Sequence, residues 1–175
     1  LFIKGEYRAY DRKLEEGKRK TVTRVNTKKV EKIEDFTRTR NKIEFEGVLK
    51  SKLFKVEFND EGQVVRDEKG KLKPVLDEDG KRISAVRKNA DGHTVNDFIL
   101  QVSKEVEKEN GEMKSVYRDY IPCISYGPVA KQIQNEIEVD TPVKARGYIR
   151  RRPKNGYTDE YVYEPVITRI TPQTE

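Results

Sequence analysis

The stretch RDYIPCISYGPVAKQI, residues 118–133, decides the fold. Its first half alternates: Tyr120, Pro122, Ile124 and Tyr126 fall on one face of an extended chain, Ile121 and Cys123 on the other. Its second half changes period. Ser125 or Gly127 can cap a helix, Pro128 suits a first turn, and Val129, Ile133 and Ile137 recur every four residues as one apolar stripe. A strand bearing tyrosines, a proline and the one cysteine thus runs straight into a short helix.

Outward from this stretch, NKIEFEGVLK (41–50), TVNDFILQVSK (94–104), SVYRDYIPCI (115–124), PVKARGYIR (142–150) and DEYVYEPVITRI (159–170) are rich in β-branched and aromatic residues and bounded by turn formers. They predict an all-β domain with three strands, the helix, then two more strands. That is the element order of the five-stranded oligonucleotide-binding (OB) barrel, with its short helix between strands 3 and 4. A long insertion, residues 51–92, separates strands 1 and 2. It is punctuated by NDEGQVV, DEKGKLK and DEDGKRI, in which acidic residues followed by Gly supply hairpin turns, and it is expected to be a solvated β-hairpin arm. DEDG does not place its acidic residues, or a closing Glu, where a calcium loop needs them.

Composition narrows the function classes. Of 175 residues 34% are hydrophobic and 39% charged, which leaves room for a compact core only. A net charge of +6 favours anionic partners, although 37 Lys and Arg face 31 Asp and Glu. One cysteine excludes an internal disulfide framework, and with one histidine it cannot complete a conventional zinc site; no metal or cofactor is expected, and a cytoplasmic setting is the default. No apolar run reaches the roughly 18 to 20 residues of a membrane span, so no membrane partner is expected. Catalytic constellations are missing: there is no nucleophile elbow, no Walker-type glycine loop and no paired-carboxylate motif, and the chain is not expected to be an enzyme.

The strand 142–150 carries the candidate site. Alternation puts Val143, Ala145, Gly147 and Ile149 inside and Lys144, Arg146, Tyr148 and Arg150 outside, continued in the turn by Arg151, Arg152, Lys154 and Tyr157. Cations interleaved with aromatics suit a flexible phosphate backbone with unstacked bases. Three successive arginines, 150–152, repel one another unless an anion joins them. Tyr161 and Tyr163 read as strand filler, Cys123 as an inert inward residue and His93 as a loop residue.

FIKGEYRAYDRKLEEGKRKTVTRVNTKKV (2–30) echoes VKARGYIRRRPKNGYTDEYVYEPVITRI (143–170): strand, Gly, aromatic with Arg, a basic turn, a second β-branched strand. Residues 1–31 are therefore expected to form an N-terminal β-hairpin, the end of a partial first OB repeat, followed by a linker at 32–40 and the OB domain at 41–175. The opening LFIKGEY, inside a strand-like run and without an initiator methionine, suggests N-terminal trimming.

From Asn41 to Ile170, the insertion excepted, the chain resembles the bacterial or phage-type single-stranded-DNA-binding proteins. NKIEFEGVL, FILQVSKEVEKENGEMKSVYRDYIPCISYGPVA and PVKARGYIRRRPKNGYTDEYVYEPVITRI carry the resemblance together. It implies sequence-tolerant binding of single-stranded DNA in replication, recombination or mobile-element and phage DNA metabolism, with Tyr120 and Tyr126 against bases and a homo-oligomeric state. RNA stays open as a second partner, and an OB barrel used for protein contacts is the alternative. Two features depart from the family: Glu105 and Val106 stand where a loop aromatic is common, and no acidic partner-binding tail follows TPQTE.

Overall fold

The computed structural model describes residues 2–13, 19–31, 41–108, 111–154 and 157–173; the expected linker, 32–40, lies outside them. Along the chain these residues form β1 (Phe2–Lys13), β2 (Arg19–Glu31), β3 (Ile43–Ser51), β4 (Arg87–Lys88), β5 (Thr94–Glu107), β6 (Met113–Tyr126), α1 (Gly127–Asn135), β7 (Pro142–Lys154) and β8 (Tyr157–Pro172). The five expected barrel strands and the helix are all present, and β1–β2 is the additional hairpin.

The barrel closes because β3 changes partner along its length. Ile43–Val48 pair with β7, then Val48–Ser51 pair with β5. The strand must coil sharply between the two, and Gly47 stands there: a β-carbon on it would lie 2.4 Å from the carbonyl oxygen of Gln101. β5 pairs with β6, β6 runs parallel to β8 through Ile124 and Ser125, and β8 returns to β7, completing the circuit. The inward residues form one cluster that includes Leu49, Leu100, Ile121, Cys123, Val143 and Ile167. Their removal from water drives closure at about 1.5 to 3 kcal/mol for each large aliphatic side chain.

Helix α1 seals one end with Ala130 and Ile133, joined by Ile137 just past its last turn. Its cap differs from the expectation. Tyr126 is the N-cap and makes no side-chain cap bond; the Ser125 hydroxyl instead donates to the Asn96 carbonyl at 3.4 Å, because alternation has already turned it into the interior. The other end of the helix is closed from a distance. The Lys52 ammonium donates to the carbonyls of Ile133, Gln134 and Ile137 at 3.2, 3.0 and 2.8 Å, satisfying acceptors the helix cannot. Burial lowers the Lys52 pKa.

The insertion is a cloverleaf of three hairpins. Asn59, Asp67 and Asp77 each accept two amides of their own turn through one side-chain oxygen, and Gly62, Gly70 and Gly80 take positive φ. The Asp77 carboxylate is thus committed to its turn. The hairpins meet at two three-way junctions in which backbone bonds run in a cycle: Val65 N–H to Glu57, Lys73 to Val65, Glu57 to Lys73, and likewise among Lys55, Val75 and Ile83. The buried Asn96 side chain ties the base of the arm to the helix, accepting from Leu53 N–H at 3.3 Å and donating to the carbonyls of Ala85 and Ala130 at 3.4 Å.

The hairpins β1–β2 and β7–β8 share a defect in register. Lys4 opposes Lys29 and Gly5 opposes Thr27; Arg146 opposes Arg169 and Gly147 opposes Ile167. Each hairpin therefore bulges at one residue of its second strand, opposite a Gly that follows a basic residue. A β-carbon at Gly5 would lie 2.5 Å from the Asn26 carbonyl oxygen, and one at Gly147 would lie 1.9 Å from that of Val166. The N-terminal hairpin docks on the barrel through Arg8, which is paired bidentately with the buried Asp119, and through Ala9, whose N–H donates to the same carboxylate at 3.2 Å. Arg8 also lies 3.5 Å from the centre of the Tyr117 ring, and Tyr7 meets Phe45 edge to face.

Candidate nucleic-acid interface

The outward side chains of β5, β6, β8 and β7 form one continuous face. Asp97 opposes Ile124, Ile124 lies beside Val166, and Val166 opposes Tyr148, a row across four strands. Beside it Ile99 opposes Pro122, and Glu164 opposes Arg150. A groove of about 660 Å³ runs over this face. Ile99, Pro122 and Ile124 lie along its floor, Phe54, Val56 and Leu72 of the arm on one side, and Arg152, Val162 and Glu164 of the β7–β8 hairpin on another. Tyr7 and Tyr163 are at its margin, where the Tyr7 hydroxyl donates to the Tyr163 carbonyl at 3.3 Å.

Tyr120 and Tyr126 are on this face, in different states. Tyr120, opposite Gln101, is 50% exposed. Tyr126 is half-buried against Val95, Ile124 and Val166, a small apolar cluster outside the barrel, and its hydroxyl accepts from Arg150 Nη2 at 2.5 Å. Alternation assigned the face correctly, but a face that looks outward from the barrel still packs where neighbouring strands carry apolar residues.

Lys144, Arg146, Tyr148, Arg150 and Arg152 alternate with the inward residues of β7 and share one side of it, with Tyr148 38% exposed. The cations meet carboxylates. Lys144 bonds Glu46 at 2.6 Å and approaches Glu44 at 3.2 Å, and Arg146 bonds Glu44 at 2.6 Å, so these two neighbours hold the Glu44 pKa down. Glu164 holds Arg150 at 2.5 Å and Arg152 at 3.0 Å, and Asp97 holds Arg87 at 2.5 Å. Burial opposes the Arg150 charge, but the bonds to Glu164 and Tyr126 leave its pKa raised. The exposed pairs of Lys144, Arg146 and Arg87 add little stability and are screened by salt, whereas the Arg150–Glu164 pair is partly buried. Lys144, Arg146 and Arg169 also border a depression of about 240 Å³ on the outer side of β7–β8.

Arg151 departs from its expected place. The strand continues to Lys154, so alternation carries Arg151 to the opposite side from Arg150 and Arg152, where it stacks 3.4 Å from the centre of the Tyr161 ring. Lys154 and Tyr157 adjoin the β7–β8 turn, outside the residues whose side chains are described. Tyr161 and Tyr163 are not filler: they are 42% and 51% exposed, because the β7–β8 hairpin extends past the barrel wall that would have buried them. Glu105 and Val106 belong to β5 and not to a loop, since a bulge between Lys104 and Glu105 lets pairing with β6 continue to Glu107. Sequence reasoning missed the arm residues Phe54, Val56 and Leu72; only the arm's fold brings them to the groove. Cys123 is buried, and burial raises its thiol pKa far above the ordinary range.

No family model and no curated protein matches the sequence. Solved structures do match. The chain is similar to the small single-stranded DNA-binding protein from Streptomyces coelicolor at 12% identity and a TM-score of 0.50, over 78% of this chain and 96% of that one. Also similar are PriB from Ralstonia solanacearum, at 12% identity and a TM-score of 0.46 over 78% of this chain and all of that one, and a deletion variant of the single-stranded DNA binding protein from Thermus aquaticus, at 14% and 0.47 over 77% and 51%. The first of these, together with the strand order, bears out the resemblance at the level of architecture: the chain has the five-stranded OB fold.

Proposed function

We propose that the chain binds single-stranded DNA of mixed sequence, stacking bases on the outer face of β5 and β6 and holding the backbone with the outward cations of β7. The observation that carries this reading is the single face on which the exposed Tyr120 and Tyr148 accompany an apolar groove bordered by Arg152. Bases need free π-faces, which Tyr120 and Tyr148 offer, and phosphates need cations, which β7 offers in ion pairs with carboxylates of the barrel. The small single-stranded DNA-binding protein from Streptomyces coelicolor, which has the same fold, supports it. Homo-oligomerisation and a place in replication, recombination or phage DNA metabolism belong to the same proposal and rest on the sequence resemblance; a role as a binder and not an enzyme rests on the sequence motifs, a cytoplasmic setting on cysteine usage, and RNA stays open as a second ligand. The domain reading, with residues 1–31 as the end of a partial first repeat and 32–40 as a linker, is also a proposal and rests on the internal echo between residues 2–30 and 143–170; the bulge shared by β1–β2 and β7–β8 supports the first part.

Titration with single-stranded DNA, duplex DNA and RNA tests the proposal. Single-stranded DNA is expected to bind more tightly than duplex, whose stacked bases hide the faces the tyrosines need. Equal affinity for both overturns it. A second reading, a protein-docking barrel, is favoured by one observation: Phe58, Val64, Leu72 and Leu76 are exposed on the arm, with no nucleic-acid role in the groove for three of them. Absence of binding to any nucleic acid at low salt would favour it.

A further inference from the structure

The formal charge of the chain is divided unevenly. Residues 1–31 hold 10 Lys and Arg against 5 Asp and Glu, whereas residues 41–175 hold 24 of each. The barrel with its arm is formally neutral, and the +6 of the whole chain lies in the segment before it. The ion pairs agree with this division: Lys144, Arg146, Arg150, Arg152 and Arg87 all meet carboxylates of the barrel itself. Within the hairpin Glu6 holds Lys28, an acid the count above already sets against its cations. The hairpin β1–β2 stays cationic even when Asp119, the acid the barrel offers to Arg8, is counted against it as well.

Its position is the second observation. Tyr7 borders the groove and is bonded to Tyr163, Ala9 belongs to the barrel core, and Arg8 is held by the residue immediately before Tyr120. A strand leaving the groove past Tyr163 therefore meets the hairpin, on which Arg24, Lys28 and Lys29 are exposed.

We propose that the β1–β2 hairpin is a second nucleic-acid contact surface, which takes the phosphate backbone of the strand whose bases occupy the groove; this rests on the groove reading above. The division of labour follows from counterions. Where cations and carboxylates balance there is little condensed anion to release, so the groove contributes mainly stacking. The excess cations of the hairpin contribute the salt-dependent part of the affinity.

The test is the slope of log affinity against log salt for an oligothymidine long enough to cross both surfaces. In R24Q/K28Q/K29Q the slope is expected to flatten by up to about 2, at roughly 0.7 for each phosphate that is no longer neutralised on a single strand, with an unchanged thermal midpoint. A folded variant with the parental slope overturns the proposal. If the variant does not fold, acylation footprinting of the parent decides: oligothymidine should protect Lys28 and Lys29, and unchanged reactivity overturns the proposal equally. A parent that binds no single strand overturns the groove reading as well, whereas a parent that binds with an unaltered slope in the variant overturns only the role of the hairpin.

Discussion

Tyr120 and Tyr126 stand six residues apart on one face of β6, and their surroundings separate what each can do. Tyr120 packs on no core cluster among the described residues, so Tyr120→Ala should weaken single-strand binding by about 1 to 3 kcal/mol, the range for one stacked base, without altering the salt slope or the melting temperature. Binding at parental strength would remove Tyr120 from the site. Tyr126→Ala should lower both affinity and thermal midpoint, because it also strips the cover from Val95, Ile124 and Val166 and a hydroxyl from Arg150. Cys123 should resist iodoacetamide in the folded protein and react on denaturation, since burial both blocks the sulfur and disfavours the thiolate that attacks; rapid labelling of the native chain would contradict its place in the core. Faces were legible at this scale because the strand period is two. Pairings were not: that Glu44 and Glu46 quench Lys144 and Arg146 depends on register between strands far apart in sequence, and that Glu164 quenches Arg150 and Arg152 depends on the register of the β7–β8 hairpin.

Elements were legible where a local rule speaks. β-Branched runs marked the strands, Gly-Pro marked the helix start, and the acidic-Gly punctuation marked the turns of the arm. What local rules do not carry is what holds elements against one another: Lys52 closing the helix from outside it, Asn96 tying the arm to the helix, and bulges that extend β5 and shift β8. Gly147 is the sharpest case. Its missing β-carbon makes room for the Val166 carbonyl at the bulge, so Gly147→Ala must push two strands apart at the point where β8 also turns toward β6. Such overpacking costs about 1 to 3 kcal/mol in ordinary cores and should cost at least the upper figure here, because the clash is with backbone. Chemical denaturation of the variant measures it, and a parental midpoint would mean that the bulge relaxes freely.

At the scale of the whole molecule the barrel is the fixed body and the arm and the N-terminal hairpin are attached to it by different means. The hairpin is attached through a buried charge pair. Asp119→Asn leaves Arg8 facing a neutral amide, and removing one partner of a buried pair costs about 3 to 5 kcal/mol; the partial exposure of Arg8 puts the expectation at the lower end. Proteolysis should then cut within residues 1–31 before the barrel, and simultaneous loss of both would make hairpin and barrel one cooperative unit. The arm is attached differently. From Lys55 to Ile83 its backbone bonds connect arm to arm, among the described residues, and the barrel circuit of β3, β5, β6, β8 and β7 takes none of them. Replacing residues 55–83 by a short Gly/Ser turn should therefore preserve the barrel, and closing a shorter loop costs less entropy. It removes one side of the groove, where Val56 and Leu72 stand over the face of β5 and β6. Binding should accordingly weaken by about 1 kcal/mol or more, the scale of one stacked base, at an unchanged salt slope, since the arm's cations are matched by its own acids. An unfolded deletion protein would show that the cloverleaf completes the core, and a folded one with parental affinity would leave the bases lying along β5 and β6 without the arm.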